Sequence, residues 1–394
     1  MNLFSKSKTP LSFVFDIRDS SIGLAVVRFE KETKPELILC KNFPIESGEK
    51  PDHEKHLTTL MTTIDAAVVS VIKDLRKTGN VEKIGKYLFF LGSPWSVSST
   101  KIIKILKDIP FEVNDALLQK LITSEETKAH EEITKDSEEK NWAVLEEKII
   151  QSKLNGYRVS NIFHKKTTDV EVELFVSFVP SEIKDKISSF VNKTFGTHTL
   201  KHASSTTIAS YMFLKDFYPN KNNFLYIDIG GILTDVFIVR DDIIYGTVSF
   251  PCGQKDIIEK TLDTMDISEE LLLSKISAKN DGHADALNQK DLEKLIGSGL
   301  KIWTEALNQA VTQICNEMNI PTNVFVVTNN SLTNFLIKQI TNKKSTESFT
   351  ILGVDMKVEV INEGMMNNVI TNGKNFVSEP YMKMDVLFID KMMH

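Results

Sequence analysis

Two aspartates in this chain end short apolar runs, and each is followed by a turn of small or polar residues. Residues 224–227, Phe-Leu-Tyr-Ile, are an apolar run rich in aromatic and β-branched residues, as in a buried strand, and the run ends at Asp228. Gly230 and Gly231 follow at once, and Thr234 and Asp235 close the turn with a hydroxyl and a second carboxylate. A carboxylate at a strand end, beside glycines that bare their backbone N–H groups, can hold a phosphate and its metal. Residues 236–239 and 243–250 read as two more strands joined at Asp241-Asp242. The pattern recurs near the start. Residues 13–15 run into Asp16, 18–21 make a polar turn with Ser20 and Ser21, and 24–29 and 36–43 are strands about a charged turn at 30–34. One such turn is a weak signal, because Asp-x-Gly-Gly also occurs in ordinary hairpins. Two strand–Asp–turn–strand–turn–strand units in one chain predict two related halves facing each other across a cleft.

These units resemble the phosphate loops of the actin-like ATPase superfamily, which includes actin, DnaK-type chaperones and sugar kinases. The fuller pattern is similar to its bacterial FtsA/PilM branch, whose members serve cell division and type IV pilus assembly. Asp228-Ile229-Gly230-Gly231-Ile232-Leu233-Thr234-Asp235 resembles that branch's Asp-Ile-Gly-Gly-Gly-Thr-Thr-Asp loop. Ser249-Phe250-Pro251-Cys252-Gly253-Gln254 resembles its Ser-x-Pro-x-Gly-Gly segment before a helix. The likeness in order and spacing spans residues 11–340, with the second loop its most specific part. It implies ATP and Mg²⁺ as cofactors, with Asp16 and Asp228 holding the metal. Ser20, Ser21, Gly230, Gly231, Thr234, Asp235 and Gly253 would lie against the phosphates. A Gly-Gly turn against the adenosine has its counterpart at Asn329 and Asn330, since asparagine can adopt the left-handed backbone.

The elements that would position these residues can be read in outline. An apolar stripe of Leu57, Leu60, Met61, Ile64, Val68, Val71, Ile72 and Leu75 predicts a helix over 53–77. Residues 87–91 predict a strand, and 198–217 a strand and a helix. Between them, 98–197 reads as an inserted α+β subdomain: a helix at 114–122, a Glu/Lys-dense run at 124–148 read as solvated helix or loop, a turn at Asn155-Gly156, a strand at 170–179 and a helix at 180–195. In the FtsA/PilM branch an insertion here serves protein contacts. Residues 254–264 predict a helix, 265–289 a polar loop, and 290–318 a long helix capped by Asn288 with Leu292, Ile296, Trp303, Leu307 and Val311 inward. Residues 323–327, 354–360 and 382–388 read as strands.

The expected fold is therefore α/β: a two-lobed actin-like (ribonuclease H-like) fold with mixed sheets and an inserted subdomain. The first lobe takes 11–97 and 198–217. The second takes 218–352 with a reduced helical subdomain at 265–318, and 353–394 returns to the core as strands. A chain of 394 residues is long enough for two lobes. With 41% hydrophobic residues, 25% charged and a net charge of −6, it reads as globular and gives no reason to expect nucleic-acid binding. Three scattered cysteines argue against a disulfide or zinc framework. No apolar run reaches the ~20 residues of a membrane span, and the first ten residues are too polar for a signal peptide. The expectation is a cytoplasmic protein, recruited to the inner face of the membrane through a partner.

Departures from the family pattern bear on activity. Arg18 stands where the family has glycine, Gly23 where it has lysine, and Ile232 and Leu233 replace a glycine and a threonine. From Lys201 to Lys215 only hydroxyls are available, and these are poor bases unaided. The resemblance thus implies a scaffold that binds ATP weakly, at most a weak ATPase. Its partners would be membrane-anchored division or pilus proteins, met through the insertion, with self-association as a further implication. An active ATPase filament protein and a sugar-kinase-like phosphotransferase are the competing readings.

Overall fold

Strand β1 (Leu11–Ile17) is buried along its whole length and organises the first lobe. It pairs antiparallel with β2 (Ser21–Arg28), which pairs with β3 (Glu36–Pro44). After helix α1 (His53–Lys77), strand β4 (Ile84–Leu91) lies parallel to β1 on its other side. The computed structural model describes residues 9–45, 53–79, 83–137, 139, 141–196, 200–263, 267–280, 286–315, 319–328, 332–342, 355–373 and 379–393. The predicted stripe of α1 is buried: Leu57, Leu60, Ile64, Val68, Val71 and Leu75 pack with Phe13, Phe15 and Phe89.

An inserted subdomain follows. Strand β5 (Val97–Glu112), helix α2 (Asp115–Asp136), strands β6 (Trp142–Leu154), β7 (Tyr157–Arg158) and β8 (Lys166–Pro180) and helix α3 (Ser181–Phe195) make it up. Its sheet runs β5-β8-β6-β7, with every pair antiparallel. Leu118, Ile122 and Ala129 of α2 close one face over Ile103, Val172 and Val176. The turn at Asn155-Gly156 is where the sequence puts it. The Glu/Lys-dense run is not one solvated segment. Asn114 caps α2 through a bond to Leu117 N, the helix continues to Asp136, and β6 then enters the sheet. Strand β9 (Leu200–Ser205) and helix α4 (Thr206–Phe217) return to the lobe, β9 parallel to β4.

The second lobe repeats the order. Strands β10 (Phe224–Ile229), β11 (Thr234–Arg240) and β12 (Ile243–Phe250) form an antiparallel meander. Asp241 and Asp242 turn it with φ of 49° and 68°, the backbone a tight primed hairpin demands. Helices α5 (Gln254–Leu262), α6 (Glu269–Asn280) and α7 (Ala286–Cys315), strand β13 (Asn323–Thr328), helix α8 (Thr333–Thr341) and strand β14 (Lys357–Ile361) complete it. Strand β13 is parallel to β10, and β14 to β13. Both sheets therefore have one plan: a meander whose first strand takes two successive parallel neighbours on its free side. The predicted loop at 265–289 contains α6, whose fully buried residues in the lobe core are Leu272 and Ile276, with Leu273 partly buried beside them, too few positions to announce a helix. Helix α7 starts ahead of Asn288, the expected cap.

The tail corrects the expectation most. Residues 363–394 belong with the first lobe and 218–362 with the second. Strand β14 stays in the second lobe's sheet, and β15 (Thr371–Asn372) adds to the first, parallel to β3. Residues 382–388 are not a strand but part of helix α9 (Pro380–Met393). Pro380 suits the first helical position, and the helix is buried on nearly every side, from Pro380 through Val386 and again at Phe388 and Ile389. A helix buried all round shows no 3.6-residue period. Phe388 meets Phe90 of β4 edge-on at 5.7 Å. Phe388→Ala is expected to lower the stability of this lobe by about 3–5 kcal/mol, read as a shifted midpoint in urea unfolding. A strand exposed at the surface would lose far less.

Candidate functional site

Asp16 sits at the end of the central strand of the first lobe, opposite Gly23 of β2 and beside Phe90 of β4. Because β1, β4 and β9 run parallel, Asp16, Gly92 and Ser204-Ser205 share the carboxyl end of the sheet, where open α/β sheets receive ligands. Asp16 is only 3% exposed, so its charge needs a partner. Arg18 supplies it from the same loop. Its Nε donates to both carboxylate oxygens at 3.0 Å. The guanidinium carbon lies 3.5 Å from the Tyr381 ring centre on α9, and Trp95 Nε1 donates to the Arg18 carbonyl at 2.8 Å. A hydrogen bond to a charged group contributes about 1.5–3 kcal/mol and a desolvated cation–π contact about 2 kcal/mol. Arg18 is thus firmly held. Ser20 O accepts from Ile45 N and Ser21 O from Arg18 N, which fixes the turn. At Gly23 a Cβ would stand 3.0 Å from Met382 Cε: α9 covers the place of the family's lysine.

Asp228 takes the equivalent place in the second lobe, between Asp235 of β11 and Val327 of β13, and is 4% exposed. The turn after it is folded onto the start of α5. Gly230 N donates to Leu233 O, while the carbonyls of Gly230 and Gly231 accept from Gln254 N and Lys255 N at 3.1 and 2.8 Å. Gly253 N donates to Asp256 Oδ2 at 2.8 Å. These first N–H groups of a helix are the ones that commonly bind an anion, and here they already have acceptors. A Cβ on Gly253 would stand 2.6 Å from the Gly231 carbonyl carbon and oxygen and from Ile232 N, so only glycine allows this approach. Thr234, predicted to face the phosphates, is fully buried. Its hydroxyl donates to Cys252 O at 2.7 Å and accepts from Trp303 Nε1 at 3.1 Å. It ties the turn to α7 and presents nothing to a ligand. Asp235 accepts from Ser249 Oγ. Asn329 and Asn330 lie outside the described residues.

A third carboxylate was hidden in the sequence. Glu146 of β6 reaches from the insertion to the end of β9. It accepts from Ser204 Oγ, from Ser205 N at 2.7 Å, from Ser205 Oγ at 2.9 Å and from Ser177 Oγ at 3.2 Å. Burial pushes its carboxyl above the ordinary glutamate value, while those bonds pull the other way. The hydroxyls at 204–205 thus have a carboxylate beside them, but one whose oxygens are spent in fastening the insertion to the lobe. Nearby, burial lowers Lys148 and His202, and Lys148 lies over the Phe388 ring at 4.8 Å.

The comparisons with known proteins agree with the topology. No family model matches the sequence, and neither does any curated protein. Solved structures do match. A PilM–PilN complex of type IV pilus biogenesis is 14% identical over 97% of this chain and 98% of that one, with a TM-score of 0.59. A Bacteroides thetaiotaomicron protein of actin-like ATPase fold and unknown function is 12% identical over 99% of each chain, with a TM-score of 0.42. EutJ of Carboxydothermus hydrogenoformans is 9% identical over 98% and 90%, at 0.37. The chain has the actin-like ATPase fold. At these identities the likeness concerns fold alone.

Asp16 and Asp228 stand at the carboxyl ends of β1 and β10, which lie inside the two lobes' sheets. The chemistry around them differs from the expectation. A metal at Asp16 does not fit the observed pairing, because Arg18 occupies both carboxylate oxygens. Among the described residues no group of three or more His, Cys, Asp or Glu side chains could hold a metal ion. Burial pushes the Cys252 thiol up to about 11 and the Cys40 thiol up to about 12, away from the thiolate form that reacts or binds metal.

Glu146 gives this lobe a testable pH response. With its folded pKa raised, the folded chain keeps a proton that the unfolded chain releases near the ordinary 4.5. Its contribution to stability is therefore full below that value and is lost as pH rises through the folded one. Urea unfolding across pH is expected to show stability falling on the alkaline side, with Glu146→Gln flattening the profile. Glu146→Ala, which orphans the serine donors, is expected to cost about 3 kcal/mol or more.

Proposed function

We propose that this chain is a cytoplasmic scaffold of the FtsA/PilM type, which binds a membrane-anchored partner of a pilus or division machine through its inserted subdomain. The observation that carries this reading is the match, over 97% of this chain and 98% of that one, to a chain of a PilM–PilN complex, with a TM-score of 0.59. No helix among the described residues is long and apolar enough to cross a membrane. The outer strand of the insertion leaves apolar side chains in water: Ile102, Leu106 and Ile109 are 57%, 73% and 77% exposed. Exposed apolar side chains on an edge strand give the proposed partner a place to dock.

Nucleotide has a secondary place in this reading. Asp228, Asp235, Gly230, Gly231, Gly253, Ser20 and Ser21 are the groups that would lie against ATP, and the internal bonding of both loops makes that contact weak. The reading includes no hydrolytic step: Glu146, the carboxylate beside the 204–205 hydroxyls, has both oxygens engaged by donors.

Photo-crosslinking in cells from positions 102, 106 and 109 tests the scaffold. The expected adduct is an integral membrane protein of a pilus or division cluster. Adducts confined to soluble enzymes would refute the proposal. ATP turnover by the purified protein is expected to fall far below the ~1–1000 s⁻¹ of ordinary enzymes; turnover in that range, abolished by Asp228→Ala, would favour the ATPase filament instead.

A further inference from the structure

The first lobe already contains a cation where its carboxylate would otherwise call for a metal. Asp16's side chain is 4% exposed, and Arg18 Nε stands 3.0 Å from its Oδ2 and equally close to Oδ1. Three neighbours fix the position of Arg18: the carboxylate itself, the Tyr381 ring against the guanidinium, and the Trp95 indole on the backbone carbonyl. Mg²⁺ sheds water reluctantly and binds through one or two carboxylates together with ligand phosphates. At Asp16 it would have to evict a stacked, hydrogen-bonded guanidinium to gain a single carboxylate. The family's other cation in this loop, a lysine, is absent as well, its place taken by Gly23 under Met382. Arginine can do what the metal and that lysine do electrostatically. It stays charged at any working pH and meets phosphate oxygens with a planar fork of donors.

We infer that Arg18 is the resident cation of this loop: it stands in for the divalent metal at Asp16, and the lobe takes a phosphate-bearing ligand in its metal-free form. The ligand class, a nucleoside di- or triphosphate, rests on the nucleotide reading above; the exclusion of the metal does not. The argument depends on where the charge sits and how it is held.

Mn²⁺ binding, followed by loss of the free-ion resonance signal, tests the metal half. Wild-type protein is expected to show no Mn²⁺ site that depends on Asp16. Arg18→Gly, which restores the family's glycine, gains one site, and adding Asp16→Asn removes it. Arg18→Lys keeps the charge and gains none. Arg18→Gly also leaves a buried carboxylate unmatched, so its melting temperature is read with and without Mn²⁺: the ion raises it in the variant and not in the wild type. Should that variant not fold, Arg18→Gln, which keeps bulk but drops the charge, carries the same expectation. A wild-type site abolished by Asp16→Asn overturns the inference, and so does a folded Arg18→Gly or Arg18→Gln protein that gains no site. Calorimetry with ATP tests the ligand half. Wild-type affinity in EDTA and in Mg²⁺ is expected to agree within about twofold, whereas Arg18→Gly binds about tenfold more weakly in EDTA and recovers with Mg²⁺. ATP binding that needs Mg²⁺ in the wild type overturns this half. No ATP binding in either condition would sink the nucleotide reading, while the Mn²⁺ result still decides on Arg18.

Discussion

A carboxylate buried at the end of a central strand must be matched by positive charge or by hydrogen-bond donors, because leaving it bare costs several kcal/mol. That requirement accounts for much of what surrounds the first loop. Asp16 cannot move toward water, since β1 is paired on both sides and its register with β2 and β4 fixes it. Arg18, two residues on, turns back to meet it. A guanidinium so placed would still be poorly covered, and Tyr381 covers it, which requires a helix where the tail of the chain returns. The burial of one charge thus links β1, the turn and α9. Glu146 answers the same demand with donors in place of a cation, from hydroxyls at the end of β9 and on β8.

What the sequence shows and what it hides follow from the range of the interactions involved. The two meanders at 11–43 and 224–250 were legible because strand, turn and strand are local, and their repetition is visible without any contact map. The stripe on α1 was legible because that helix has a wet side and a dry side. Helix α9 has almost no wet side, so Met382 to Phe388 could be read as alternation. Glu146 lay in a run whose average composition is that of a solvated surface. One strand within it turns a single glutamate inward, and nothing in a composition average marks which one. Arg18 was seen as a departure from the family's glycine; that it points at Asp16 is a property of the folded turn. Thr234 was placed in the phosphate loop by its position in a motif, yet its hydroxyl serves Trp303 and Cys252, which are distant in sequence.

The two lobes have one strand plan but have closed their loops by different means. In the first, a side chain neutralises the carboxylate. In the second, the backbone of the turn satisfies the opening of α5, with Gly253 admitted against Gly231 because no Cβ intervenes. Both devices consume within the protein the groups that an actin-like ATPase would offer to phosphate and metal. Glu146 adds a third device, which fastens the insertion to the lobe: a carboxylate gripped by donors from β8 and β9 is directional in a way that an apolar contact is not.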